Sequence, residues 1–111
     1  MAEPGFNVFL MAQAEDDLES IRNYLIENAS PQDATRLLNK LDGCIESLET
    51  YPLRGNVPKE LEEEGVLDSR QLTVPPYRLV YRVLENSVFV ILVADGRRDM
   101  KALLRRRLLG G

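Results

Sequence analysis

The sequence predicts an α+β fold in the order β-α-α-β-β-β-α, and three observations carry it. Two consecutive segments place apolar residues at helical spacing, with a Ser-Pro boundary between them. The stretch from Tyr77 to Met100, YRLVYRVLENSVFVILVADGRRDM, reads as two strands on a tight hairpin. A short alternating segment precedes the helices, and a leucine-rich basic segment closes the chain. The two helices should pack as a hairpin on one face of a small, mainly antiparallel four-stranded sheet. The opposite face should be open, or closed by a partner. At 111 residues the chain is expected to form a single domain, 1–111.

Gly5–Met11 (GFNVFLM) is the first strand candidate, with Phe6, Val8 and Leu10 on one face. In the first helix Ala14, Leu18, Ile21 and Leu25 form one stripe, with Glu15, Asp16, Asp17 and Glu19 crowding its first turns. Asn28-Ala29-Ser30-Pro31 ends that helix and starts the next. Ser30 is suited to the N-cap, Pro31 to the first helical position and Asp33 to the third. The second helix should run to about Thr50 and bury Ala34, Leu37, Leu38, Leu41, Ile45 and Leu48. Cys44, the single cysteine, lies beside that stripe and reads as a small core residue; one cysteine excludes an internal disulfide and a multi-cysteine metal site.

Thr50–Gly65 is a break, with Pro52, Gly55, Pro58 and Gly65. Its acids Glu60, Glu62, Glu63 and Glu64 are expected on a solvated turn of helix. Asp68–Val74 alternates as a strand until Pro75-Pro76 interrupts the ladder. On the next strand Tyr77, Leu79, Tyr81 and Val83 face the core, so Arg78, Val80 and Arg82 project from the other side. Ser87–Ala94 is apolar on both faces, as a central strand covered on both sides would be. Arg98–Leu109 should be a helix burying Met100, Leu103, Leu104 and Leu108, with Gly110 as its cap.

Net charge is −4, but residues 1–66 carry −9 and residues 67–111 carry +5. The total argues against a general nucleic-acid binder, while the split allows a local anionic partner at the C-terminal half, or two halves that neutralise each other. No apolar run reaches membrane-spanning length and the N-terminus does not resemble a secretory signal, so a cytoplasmic protein without membrane contact is expected. Planar guanidinium forks on a sheet suit phosphates or carboxylates, which makes the arginines the candidate site.

Four segments resemble the RelE/ParE toxin superfamily of bacterial type II toxin–antitoxin systems. Ala14-x-x-Asp17-Leu18-x-x-Ile21-x-x-Tyr24-Leu25 is similar to its A-x-x-D-L-x-x-I-x-x-Y-I segment. Leu48-x-x-Tyr51-Pro52-x-x-Gly55 is similar to its L-x-x-x-P-x-x-G element. Tyr77-Arg78-Leu79-Val80-Tyr81-Arg82-Val83 resembles the Y-R-[ILV]-[IV]-Y-x-[IV] strand, the most specific of the set. Val90–Val93 with Arg97-Arg98-Asp99 resembles the last strand and its H-x-R-[RK]-[DP] ending. The resemblance implies a toxin of the plasmid-stabilisation type, held inactive by a cognate antitoxin that covers its sheet and basic groove. Toxin and antitoxin could assemble as a heterotetramer, and the free toxin as a homodimer. It implies no cofactor and no metal.

The superfamily holds two unrelated activities: cleavage of mRNA on the ribosome, and poisoning of DNA gyrase. Cleavage through the 2′-hydroxyl needs a proton carrier as well as cations, and histidine is the usual one near neutrality. This chain has no histidine, and Asp95 stands where many nuclease members place one. Nor does 98–111 contain a tyrosine. Glu85, in a hairpin turn, and Lys101, on the terminal helix, are poor alternative bases. Arg70, Arg78, Arg82 and Arg97 would be the phosphate clamp of a nuclease. The expectation is therefore a ParE-like gyrase inhibitor that acts by binding. Arg78, Arg82, Arg97, Arg98, Lys101, Arg105 and Arg106 are its candidate contacts to antitoxin or target. The alternatives are a ribosome-dependent endoribonuclease and a non-toxic scaffold that only binds antitoxin. Simple ion pairing is the plainer reading of each arginine.

Overall fold

The computed structural model describes residues 5–109. Strand β1 (Asn7–Leu10) leads into helices α1 (Ala12–Asn28) and α2 (Pro31–Ser47). A loop then carries the four-residue helix α3 (Lys59–Glu62), followed by β2 (Ser69–Val74), β3 (Tyr77–Leu84), β4 (Ser87–Asp95) and α4 (Met100–Leu109). The strands lie in the order β1-β4-β3-β2. Only the β1–β4 pair is parallel: α1 and α2 carry the chain from edge strand β1 to the opposite edge strand β2, and the antiparallel β2-β3-β4 meander returns it to lie beside β1. The expected Gly110 cap lies outside the described residues.

Local chemistry sets the helix boundaries. Ser30 Oγ accepts the Asp33 amide at 3.1 Å and Pro31 opens α2. At α4, Asp99 Oδ1 accepts the Ala102 amide at 3.1 Å. Helix α2 ends at Ser47, earlier than Thr50, because the chain turns there to bury Leu48 and Pro52. Gly55 then donates its amide to the Tyr81 hydroxyl at 3.0 Å, and Gly55 O accepts from Arg70. A Cβ on Gly55 would lie 2.5 Å from Gln71 O and 2.7 Å from that hydroxyl. Only glycine fits so close an approach.

The sheet is apolar on both faces. Against α1 and α2 it presents Tyr77, Leu79, Tyr81, Val88, Val90 and Val93, which meet Ala14, Ile21, Leu25 and Leu41. The other face is not left open: Val80, Leu92 and Ala94 are covered by Leu61 of α3 and by Met100, Leu103 and Leu104 of α4. A bulge makes this two-sided packing possible. Val80 pairs with Leu92 but Tyr81 pairs with Val90, leaving Ile91 without a partner. The extra residue reverses the facing of β4, so Val88 and Val90 share a side with Val93 while Leu92 turns to α4.

Part of that second face stays uncovered. Phe9 and Phe89 stack there with ring centroids 5.6 Å apart, and Leu84 is exposed. No described helix is long and apolar enough to cross a membrane.

Candidate functional site

Alternation on β3 sends Arg78 and Arg82 to the α3/α4 side of the sheet, as their spacing predicts. They do not form an open cationic strip. Arg78 makes a two-pronged pair with Glu60, Nη1 to Oε2 and Nη2 to Oε1, each at 2.8 Å. Its Nε donates to Gln71 Oε1 at 2.7 Å, and Nη2 reaches the same oxygen. The Arg78 and Glu60 side chains are 15% and 27% exposed. The Arg78 guanidinium holds the Glu60 carboxyl at about 2, well below its ordinary 4.5. Glu60 is thus not the solvated charge expected of the acidic run. Glu64 is also engaged, by Arg105 Nη2 at 2.5 Å, while Glu62 and Glu63 are exposed as expected.

The other arginines are dispersed. Arg82 Nη2 lies 3.4 Å from Asp68, and its Nε is buried without a hydrogen-bond partner. Arg70 sits opposite Tyr81 and therefore on the other face of the sheet. It donates to the carbonyls of Leu53 and Gly55 at 3.2 and 2.6 Å. Arg97 folds back on Asp95, with Nε to Oδ1 at 2.9 Å and Nη2 to Oδ2 at 2.5 Å. That hydrogen bonding takes the Asp95 carboxyl to about 2 and raises Arg97 further above its ordinary value. Arg98, Lys101, Arg105 and Arg106 are exposed, the last three on α4. The four clamp candidates are therefore not brought together.

Groups able to carry a proton near neutrality are also missing from the sheet. Burial raises the Tyr77 and Tyr81 hydroxyls, and it raises the Cys44 thiol against the weaker opposing pull of Arg54. Each shifted group among the described residues moves away from neutrality. The same residues contain no cluster of three or more metal-ligating side chains.

The sequence reading missed one feature altogether. Arg107 crosses to α1, with Nη2 to Asp17 Oδ1 at 2.6 Å and Nη1 to Asp17 Oδ2 at 2.9 Å. Its Nη1 also donates to Ile91 O at 3.0 Å, and Asp17 Oδ2 accepts the Val93 amide at 3.0 Å. Both side chains are about 15% exposed, at 15% and 14%. Arg107 was visible only as one member of a basic run, and Asp17 as one of several acids in the first turns of α1.

A crossover hairpin on a four-stranded sheet, with a C-terminal helix on the far face, is an architecture shared with bacterial toxins. A chain of the chromosomal ParDE toxin–antitoxin system of P. aeruginosa superposes with a TM-score of 0.66 at 16% identity, covering 84% of this chain and 98% of that one. The toxin–antitoxin complex RelBE2 of Mycobacterium tuberculosis gives a TM-score of 0.59 at 20% identity, over 82% of this chain and 98% of that one. A mutant of E. coli toxin RelE in the free state gives 0.52 at 18%, over 89% and 92%. In sequence, Toxin ParE3 of Caulobacter vibrioides is 25% identical over 91 residues, 82% of this chain and 87% of its own. Residues 8–100 match the profile of the ParE toxin of type II toxin–antitoxin system, parDE. The chain belongs to this family.

Proposed function

We propose that this chain is a toxin neutralised by an antitoxin encoded beside it, and that it acts by binding DNA gyrase rather than by cutting RNA. One observation carries the choice: each residue of the candidate phosphate clamp already has a partner within the chain. Arg78 is paired with Glu60, Arg82 with Asp68 and Arg97 with Asp95, while Arg70 is bound to two carbonyls. A polyanion would have to displace carboxylates from three of them, with no histidine nearby to move a proton. The exposed cations that remain, Arg98, Lys101 and Arg106, lie on or beside α4 and suit docking against an acidic protein surface. The antitoxin half of the reading is supported by the family, since the P. aeruginosa and M. tuberculosis relatives are parts of toxin–antitoxin systems. On this reading the toxin acts in the cytoplasm, where its proposed target lies.

The test uses the purified chain free of antitoxin. Inhibition of supercoiling by gyrase, or trapping of cleaved DNA, is expected, and Lys101→Glu with Arg106→Glu should weaken it. Cutting of mRNA on programmed ribosomes, lost in Arg82→Ala or Arg97→Ala, would overturn the choice in favour of the nuclease. Neither activity, with normal growth on expression, would leave an antitoxin-binding scaffold.

A further inference from the structure

Unpaired strand edges invite further strands, and proteins blunt them with charge, proline or cover. The outer strand β2 is blunted: Gln71 and Asn56 exchange main-chain hydrogen bonds at 2.7 and 3.2 Å, and Pro75-Pro76 follows. Where β4 runs on past β1, Arg107 and Asp17 cap the outward groups of Ile91 and Val93. Strand β1 has no such device. Asn7 and Met11 donate inward, to Asn86 O at 3.0 Å and Val90 O at 2.9 Å. Main-chain direction repeats every second residue, so Phe9 also points inward while Val8 and Leu10 point outward. The outward N–H and C=O groups of Val8 and Leu10 have no partner among the described residues. The preceding outward amide, that of Phe6, is taken by Glu49 O at 2.9 Å. The open stretch is therefore Val8–Leu10.

We propose that β1 pairs with β1 of a second copy, antiparallel across a twofold axis at Phe9, so that two free chains join their sheets into one. The open groups fix the axis. With Val8 opposite Leu10 of the second copy, every outward N–H of that stretch meets an outward C=O. An axis at Val8 would set Leu10 against Phe6, whose amide is already taken, and an axis at Leu10 would set Val8 against Ala12, already in α1. Phe9 then faces its own copy as a non-hydrogen-bonded pair, about 4.5 Å apart at Cα, where facing side chains come closest. Its ring leaves from the uncovered far face of the sheet, so the Phe9–Phe89 stack continues across the axis. Phe9 and Met11, 49% and 48% exposed, are the side chains this contact covers. Charge selects the partner. Residues 5–14 contain no charged side chain in a chain of net charge −4, so two copies that repel elsewhere do not repel along this edge. An uncharged edge that matches itself under a twofold suits a second copy. So short a contact makes a weak dimer of the free chain, not a permanent one.

The test is the full chain, purified without antitoxin, in sedimentation velocity across about 1 µM to 1 mM, the range in which small interfaces associate. A monomer–dimer equilibrium is expected. In amide hydrogen exchange the Val8 and Leu10 amides should slow about tenfold from the dilute to the concentrated end, while the Phe9 amide, already bonded inward, stays unchanged. Phe9→Lys and Phe9→Glu each place like charges on the axis and should raise the dimer dissociation constant at least about tenfold. Mixed in equal amounts the two variants should pair again, because the axis then joins opposite charges. Phe9 is half exposed, so both variants should melt close to the parent, and Arg36→Glu on α2 should dimerise like the parent. A monomer throughout the range would overturn the proposal. So would a dimer that both variants keep, or one that slows exchange elsewhere but not at Val8 and Leu10. Loss of the dimer in each variant without recovery on mixing would overturn the axis at Phe9. The toxin reading stands or falls separately, on the gyrase and ribosome assays above.

Discussion

Replacing Glu60 by glutamine should destabilise the fold by a pH-dependent amount that identifies the Arg78 pair as the cause. The folded-state carboxyl lies at about 2 against an ordinary 4.5, chiefly through hydrogen bonding to Arg78. A depression of that size corresponds to a ceiling of roughly 3 kcal/mol, at about 1.4 kcal/mol for each pH unit. Glu60 keeps 27% of its side-chain exposure, and solvent screening reduces the figure to about 1–2 kcal/mol. For a chain of this length that is a fall in Tm of roughly 5–10 °C at pH 7. The sign follows from the direction of the shift. A carboxyl depressed in the folded state stabilises fully above its unfolded value and loses that contribution as pH falls through its folded value. Parent and Glu60→Gln melting curves should therefore differ most above pH 5 and converge between about pH 4.5 and 2. Asp95 titrates in the same range, but it is present in both proteins and cancels in the difference. A gap of constant size from pH 7 to pH 3 would refute the ion-pair reasoning and point to packing.

Gly55→Ala should cost about 2–3 kcal/mol in urea unfolding, because the new methyl meets Gln71 O at 2.5 Å, a main-chain atom that cannot swing aside. Asp17→Asn leaves the Arg107 charge without its carboxylate in a mostly buried site. Its cost should be about 3 kcal/mol, with faster amide exchange along α4 as the local sign. Ser30→Ala removes the cap on the Asp33 amide and should lower stability by about 1 kcal/mol, with exchange quickened in the first turn of α2.

Much of the basic surface inferred from spacing turned out to be internally paired, for a physical reason. Spacing on a strand reports which side an arginine leaves from, and Arg78 and Arg82 do share a side of β3. It does not report what waits there. Glu60 arrives from eighteen residues away because Leu61, next to it, is buried against Val80 and Leu104 and fixes α3 over the sheet. Arg70 reads as part of the same clamp in the sequence, but the register that sets it opposite Tyr81 puts it on the other face. The same packing corrected the expectation of an open sheet face.

By itself the sequence determined the elements, their order and the first core. Capping at Ser30-Pro31, the apolar stripes of α1 and α2 and the alternation of β3 are chemistry between residues a few positions apart. The glycine and aromatic motifs also carried the family. Tertiary structure alone decided what the charged residues do. The bulge at Ile91 turned Leu92 toward α4, the covered second face brought Glu60 to Arg78, and α4 carried Arg107 ninety positions back to Asp17. Such pairs depend on where whole elements pack, because charges find partners across space and leave no period in the chain.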